Sequence, residues 1–189
     1  MHSAEPARMT VVAVLGGLAA LAMGPARAGE TVCVDTLGSI AVDNLRVPEG
    51  GTCTLNATRV KGTVKVERNA TLYARSVQVM GNVQAENAHQ VSVMANSTIG
   101  GSIQIKQGGT ATIHRARVAG DIQFDSNSGA LSALDNKVGG NLQVFQNRGG
   151  VRLAYNTIKG SLQCKENAPA PTGGDNQAQG GKEDQCRGL

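Results

Sequence analysis

A glycine-centred phrase returns every 19 or 20 residues through most of the chain, and a repeat of that length limits the fold more than any other feature. The copies read VKGTVKV, VMGNVQA, IGGSIQI, VAGDIQF, VGGNLQV and IKGSLQC, centred on Gly62, Gly81, Gly101, Gly120, Gly140 and Gly160. A degenerate earlier copy, LGSIAV, lies at Gly38. Two residues before each glycine stands Val60, Val79, Ile99, Val118, Val138 or Ile158. Two after it come Val64, Val83, Ile103, Ile122, Leu142 and Leu162; four after it come Val66, Ala85, Ile105, Phe124, Val144 and Cys164. The residue between is polar each time: Lys65, Gln84, Gln104, Gln123, Gln143 and Gln163. Apolar, polar, apolar is period two, the mark of a strand with one buried face.

A second apolar pair recurs between glycines: Cys53 and Leu55, Leu72 and Ala74, Val91 and Val93, Ala111 and Ile113, Leu131 and Ala133, Val151 and Leu153. Each copy therefore offers about five inward positions on three short extended segments and no helical spacing. Short strands at constant intervals with Gly and Asn at the corners suit a coil that stacks on its neighbour. The expected fold is all-β, a parallel β-helix of about seven ~20-residue coils at the ~4.8 Å strand spacing, with inward columns of Val, Ile and Leu and an outward glutamine ladder. The glycines are expected to mark corners that need positive φ or leave no room for a Cβ. A leucine-rich repeat is the rival, on phrases such as VGGNLQVFQN. Its apolar spacing is off by one residue, and the rest of each unit reads as strand where that fold wants a helix.

Outside the repeat, Val11 to Met23 is apolar, preceded by Arg8 and followed by Pro25 and Ala26-Arg27-Ala28. This pattern reads as a secretory signal peptide, residues 1–28, cleaved after Ala28; its apolar run falls short of the ~20 residues needed to span a bilayer. The expected domains are then 1–28 leader, 29–166 β-helix and 167–189 a polar, Pro/Gly-rich cap that breaks the repeat. The mature chain is expected in the periplasm or outside the cell, as a monomer without a membrane span.

The four cysteines test the stacking. Cys33 and Cys53 lie 20 residues apart and Cys164 and Cys186 lie 22 apart, each close to one coil. Adjacent coils fall inside the Cα window of a disulfide, so the expected pairs are Cys33–Cys53 and Cys164–Cys186, one at each end. Cys53 and Cys164 are more than five coils apart and cannot meet.

The chemistry carried by the repeat is sparse. The net charge of +4 and the 2% of aromatic residues argue against nucleic acid. Asp121, Asp125 and Asp135 form one acidic spot within a coil, the candidate for a polysaccharide lyase or hydrolase, which needs carboxylates facing across a groove. His89 and His114 have neither a nucleophile partner nor metal-ligand spacing and are expected on the surface. No cofactor or metal motif occurs. Arg59, Lys61, Arg117, Lys137 and Lys159 fall just before repeat glycines, which would align them as a broken basic stripe able to meet an anionic glycan or envelope surface. Tyr73, Phe145 and Tyr155 are outward but form no column. Sequons begin at Asn56, Asn69 and Asn96.

Through the glycine-centred phrases of residues 60–66 to 158–164, the chain resembles secreted bacterial right-handed parallel β-helix repeat proteins of unassigned function, and more distantly the bactofilins, which are cytoskeletal β-helix polymers. The resemblance implies a right-handed coil and carries no site residues. The expected function is an exported, non-enzymatic structural or binding surface; a small polysaccharide lyase and a self-assembling envelope scaffold are the alternatives.

Overall fold

A computed structural model describes residues 29–189; the expected leader, residues 1–28, lies outside the described residues. Among the described residues every regular element is a strand, as the period-two phrases require. The strands form three parallel sheets that wind as a solenoid of about seven turns. The first sheet holds nine strands, from Glu30–Val32 to Lys182–Asp184. The second and third hold eight each, running from Thr36–Leu37 to Thr172–Gly174 and from Ala41–Val42 to Gln177–Ala178. The helix that a leucine-rich repeat would need is absent from the described residues.

Register follows the sequence phrase. In the first sheet Val64, Val83, Ile103, Ile122, Leu142 and Leu162 lie opposite one another on successive coils, each at most 1% exposed. Val60, Val79, Ile99, Val118, Val138 and Ile158 make the matching column of the third sheet. Cys53, Leu72, Val91, Ala111, Leu131 and Val151 make one in the second. Because a one-residue slip would turn every one of these side chains outward, burial itself holds the register. Both disulfides join neighbouring coils, Cys33 to Cys53 with Cα atoms 5.5 Å apart and Cys164 to Cys186 at 5.2 Å.

Two further inward columns occupy the corners. Leaving the first sheet, Asn87, Gln107, Ser126, Gln146 and Glu166 adopt the left-handed conformation, with φ between 52° and 58°. The next residue of each, Ala88, Gly108, Asn127, Asn147 or Asn167, turns inward. Leaving the second sheet, Ser76, Asn96, Arg115, Asp135, Tyr155 and Asp175 are left-handed too, with φ between 52° and 64°, and are followed by Val77, Ser97, Ala116, Asn136, Asn156 and Asn176. Each buried asparagine is held on both sides. Asn147 accepts from the Asn127 backbone N–H and side-chain Nδ2, and donates to Asn167 Oδ1 and Phe124 O. The second series repeats this through Asn136, Asn156 and Asn176. Among the described residues no buried side-chain N or O lacks a partner, which is what burial of an amide demands.

The repeat glycines answer to close approach and not to positive φ. A Cβ at Gly81 would stand 2.7 Å from Gly62 O, and one at Gly160 2.7 Å from Gly140 O. The glycine N–H of each coil donates to the glycine carbonyl of the coil before: Gly81 to Gly62, Gly101 to Gly81, Gly120 to Gly101, Gly140 to Gly120 and Gly160 to Gly140, at 2.9–3.0 Å. The third corner is thus a column of backbone on backbone.

The segment from Asn167 departs from its expected role. It does not leave the repeat: Thr172–Gly174, Gln177–Ala178 and Lys182–Asp184 pair with the strands before them and carry all three sheets one coil farther. Lys182 and Asp184 stand where the previous coil has Leu162 and Cys164; among the described residues no further coil covers them, so inward positions there need not be apolar. Residues 185–189 then turn over the end, with Leu189 against the core and Lys182 Nζ donating to Leu189 O at 2.6 Å.

Candidate functional site

Most outward polar side chains that recur with the repeat are engaged by the stack. Gln84 donates to Gln104, Gln104 to Gln123, Gln123 to Gln143, Gln143 to Gln163, and Gln163 to the Glu183 carboxylate, at 2.9–3.2 Å. A carboxylate can only accept, so Glu183 fixes the direction of the whole amide chain. At the other end Lys65 lies in register with Gln84, its ammonium 3.6 Å from the Glu67 carboxylate.

The position after each repeat glycine, with Asn44 after Asp43 in the coil before, forms another ladder. Its side-chain oxygen accepts the backbone N–H of the same position one coil on: Asn44 from Thr63, Thr63 from Asn82, Asn82 from Ser102, Ser102 from Asp121, Asp121 from Asn141 and Asn141 from Ser161, at 2.6–3.3 Å. Asp121 is thus one of six short side chains doing the same task. The other members of the acidic spot also have local partners. Asp125 Oδ1 accepts from Ser126 Oγ at 2.8 Å, and Asp135 lies 3.2 Å from His114 Nε2. Asp121, Asp125 and Asp135 belong to a turn, a strand end and a corner, each with its own bond. His89 is exposed and His114 half-buried. Among the described residues no three His, Cys, Asp or Glu side chains converge as a metal set.

The basic residues separate into two columns of the third sheet. Arg59, Gln78, Thr98, Arg117, Lys137 and Thr157 are in register, so Arg117 lies directly beside Lys137 while Arg59 stands three coils away. Lys61 and Lys159 belong to the neighbouring column, the position before the repeat glycine, which reads Lys61, Met80, Gly100, Ala119, Gly139, Lys159. Lys61 is taken by Asp43, with Nζ 3.1 Å from Oδ1. Arg117, Lys137 and Lys159 are brought together around a shallow depression of about 380 Å³, lined also by Thr98, Thr157 and the Gly100–Ala119–Gly139 floor. Among the described residues none of the three has a carboxylate within ion-pair distance, in contrast to Arg46, Lys61, Lys65, Arg68 and Lys165.

Among the described residues the perturbed charges lie where the first coil meets the second. The Lys61 hydrogen bond, with help from the Gly29 N–H, holds the Asp43 carboxyl below the usual carboxylate range. The hydrogen bond that Arg46 Nε donates to the Glu30 carboxylate raises the guanidinium above its ordinary value. Tyr73, Phe145 and Tyr155 face outward from the second sheet, the first sheet and a corner, so no aromatic platform forms. Asn56, Asn69 and Asn96 are exposed. The buried asparagine columns were missed by sequence reasoning; the signal was Asn recurring at 127, 147 and 167 and at 136, 156 and 176, in step with the repeat.

No known protein family, curated protein or solved structure matches the chain.

Proposed function

We propose that the chain is an exported, non-enzymatic β-solenoid that presents a rigid binding surface in the periplasm or outside the cell, in the manner of the secreted β-helix repeat proteins its phrases resemble. The observation that carries the reading is how its polar groups are used. The carboxylate best placed to suggest catalysis, Asp121, accepts the Asn141 N–H in a ladder whose other members are Asn, Ser and Thr. The Arg117, Lys137 and Lys159 side chains gather around one depression of the third sheet, and no carboxylate among the described residues lies within ion-pair distance of them. Two disulfides suit an oxidising compartment, where they persist. The test is expression of the full chain in a bacterial host, followed by fractionation, amino-terminal sequencing and incubation with pectin, alginate and hyaluronan. The reading expects protein outside the cytoplasm beginning at Gly29 and no turnover. A chain kept in the cytoplasm with Met1 in place, or turnover abolished by Asp121→Asn, overturns it.

One observation favours self-association as a second reading. The first coil presents Val32, Val34 and Ile40 at 49%, 62% and 49% exposure beside strand edges that have no coil before them among the described residues. The opposite end is turned over by residues 185–189, so association through the open ends gives a dimer and not a filament. Light scattering across a hundredfold concentration range separates monomer from dimer, and a monomer throughout refutes this second reading.

A further inference from the structure

The depression on the third sheet has the composition of a ligand site, and its shape limits the ligand. Its floor is the Gly100–Ala119–Gly139 column, which carries nothing larger than a methyl group over three coils, between Met80 at one end and Lys159 at the other. The bareness is enforced: a Cβ at Gly100 would fall on Met80 O, and one at Gly139 on Ala119 O, with Ala119 C 3.0 Å away. Beneath the floor Ile99, Val118 and Val138 are at most 2% exposed, so it is sealed and offers no slot for an acyl chain. One wall is the register column Thr98, Arg117, Lys137, Thr157, which sets two hydroxyls outside two cations at the ~4.8 Å strand spacing. The acidic side chains nearest in sequence are turned to other partners, Asp121 to the Asn141 N–H and Asp135 to His114.

We propose that this trough binds an acidic sugar of a polysaccharide, a deepening that rests on the reading of the chain as an exported binding surface. A flat apolar floor accepts the C–H face of a pyranose ring. The Arg117 fork takes a carboxylate by two parallel hydrogen bonds, and Lys137 takes the next anionic group as a point charge. Thr98 and Thr157 reach ring hydroxyls, and Lys159 closes the end. A volume of about 380 Å³ holds one or two rings and lies within the range of small-molecule sites. Since Arg117 and Lys137 succeed one another along the rod, the acidic chain runs parallel to the solenoid axis.

The test titrates the disulfide-intact chain beginning at Gly29 by calorimetry. Its ligands are a galacturonate hexamer, the methyl-esterified hexamer, a sulfated hexasaccharide and phosphatidylglycerol vesicles. Binding to the galacturonate hexamer and its loss on esterification are expected. Two variants assign the site. The double variant Arg117→Ala/Lys137→Ala loses affinity by about tenfold, whereas Arg75→Ala/Arg152→Ala, equal in charge but on the second sheet, changes it less than about twofold. Ala119→Gln leaves the charge unchanged, projects from an exposed position onto the floor, and lowers affinity comparably; circular dichroism verifies that each variant folds. Equal losses in both charge variants, or no effect of Ala119→Gln, overturn the trough. Binding to the vesicles, or to the sulfated ligand alone, overturns the sugar carboxylate. An exported chain that binds none of the four refutes the site and leaves the exported reading standing, while a chain retained in the cytoplasm refutes that reading whatever the titrations give.

Discussion

Replacing Asn147 by alanine measures what the interior amides contribute. Asn147 is fully buried and makes four side-chain hydrogen bonds: it accepts from Asn127 N at 3.0 Å and Asn127 Nδ2 at 2.9 Å, and donates to Phe124 O at 3.0 Å and Asn167 Oδ1 at 2.9 Å. Alanine leaves two N–H donors of Asn127 without an acceptor and out of reach of bulk water. Each such orphan costs ~1–3 kcal/mol, so the variant should lose about 4 kcal/mol, a large part of the net stability of a domain this size. Gln143 is the control. It accepts from Gln123 and donates to Gln163, both at 2.9 Å, but it is only half-buried on the outward face, where water reaches the groups that a truncation leaves. Gln143→Ala should lose less than about 1 kcal/mol. Urea titration with the disulfides intact, followed by far-ultraviolet circular dichroism, gives both values from the shift in midpoint at a common slope. Losses that are equal, or an Asn147→Ala loss below about 1 kcal/mol, would refute the claim that the buried columns hold the coils more tightly than the outward glutamine ladder.

Three other outcomes follow from particular contacts. Gly129→Ala should destabilise by ~1–3 kcal/mol in the same titration, because the new Cβ would stand 2.7 Å from Thr110 N and force two coils apart; an unchanged midpoint would show that the stack yields at little cost. Asp121→Asn should change stability by less than about 0.5 kcal/mol, since Asn82 and Asn141 already hold the same ladder position with the same oxygen; a larger loss would give Asp121 a role beyond stacking. The Asp43 carboxyl should titrate below an ordinary aspartate by carbon-detected magnetic resonance, and Lys61→Met should move it up toward the ordinary value. Its folded pKa is depressed, so its contribution to stability is complete above the ordinary aspartate range and disappears as pH falls through the lowered value; an Asp43 midpoint indifferent to Lys61→Met would contradict the pairing.

What could be read in advance follows from where apolar side chains are obligatory. Ile103, Gln104 and Ile105 alternate because one face of that strand is the core, and the same constraint on every coil made the register, the three sheets and the cysteine pairing legible. The last described coil was not, because Gly173, Lys182 and Asp184 occupy positions that are apolar in earlier coils, and a coil that no other described coil covers has no reason to keep them so. The buried asparagines read as corner residues because the chain does turn there; that the turn directs the next side chain inward depends on a left-handed residue such as Gln146 or Tyr155, which composition does not announce. The basic stripe was half legible. Period two places positions one and three before the glycine on the same face, but on two columns, so Arg117, Lys137 and Lys159 share a trough from which Arg59 and Lys61 are remote.

The stacking of coils one lap apart is tested most directly by peptide mapping of the oxidised protein under non-reducing conditions. Stacking predicts one linked peptide pair containing Cys33 and Cys53 and another containing Cys164 and Cys186, the pairs whose Cα atoms lie 5.5 and 5.2 Å apart on neighbouring coils. Recovery of Cys53 bonded to Cys164 from the monomeric protein would join coils that the solenoid holds at opposite ends, and would contradict the account.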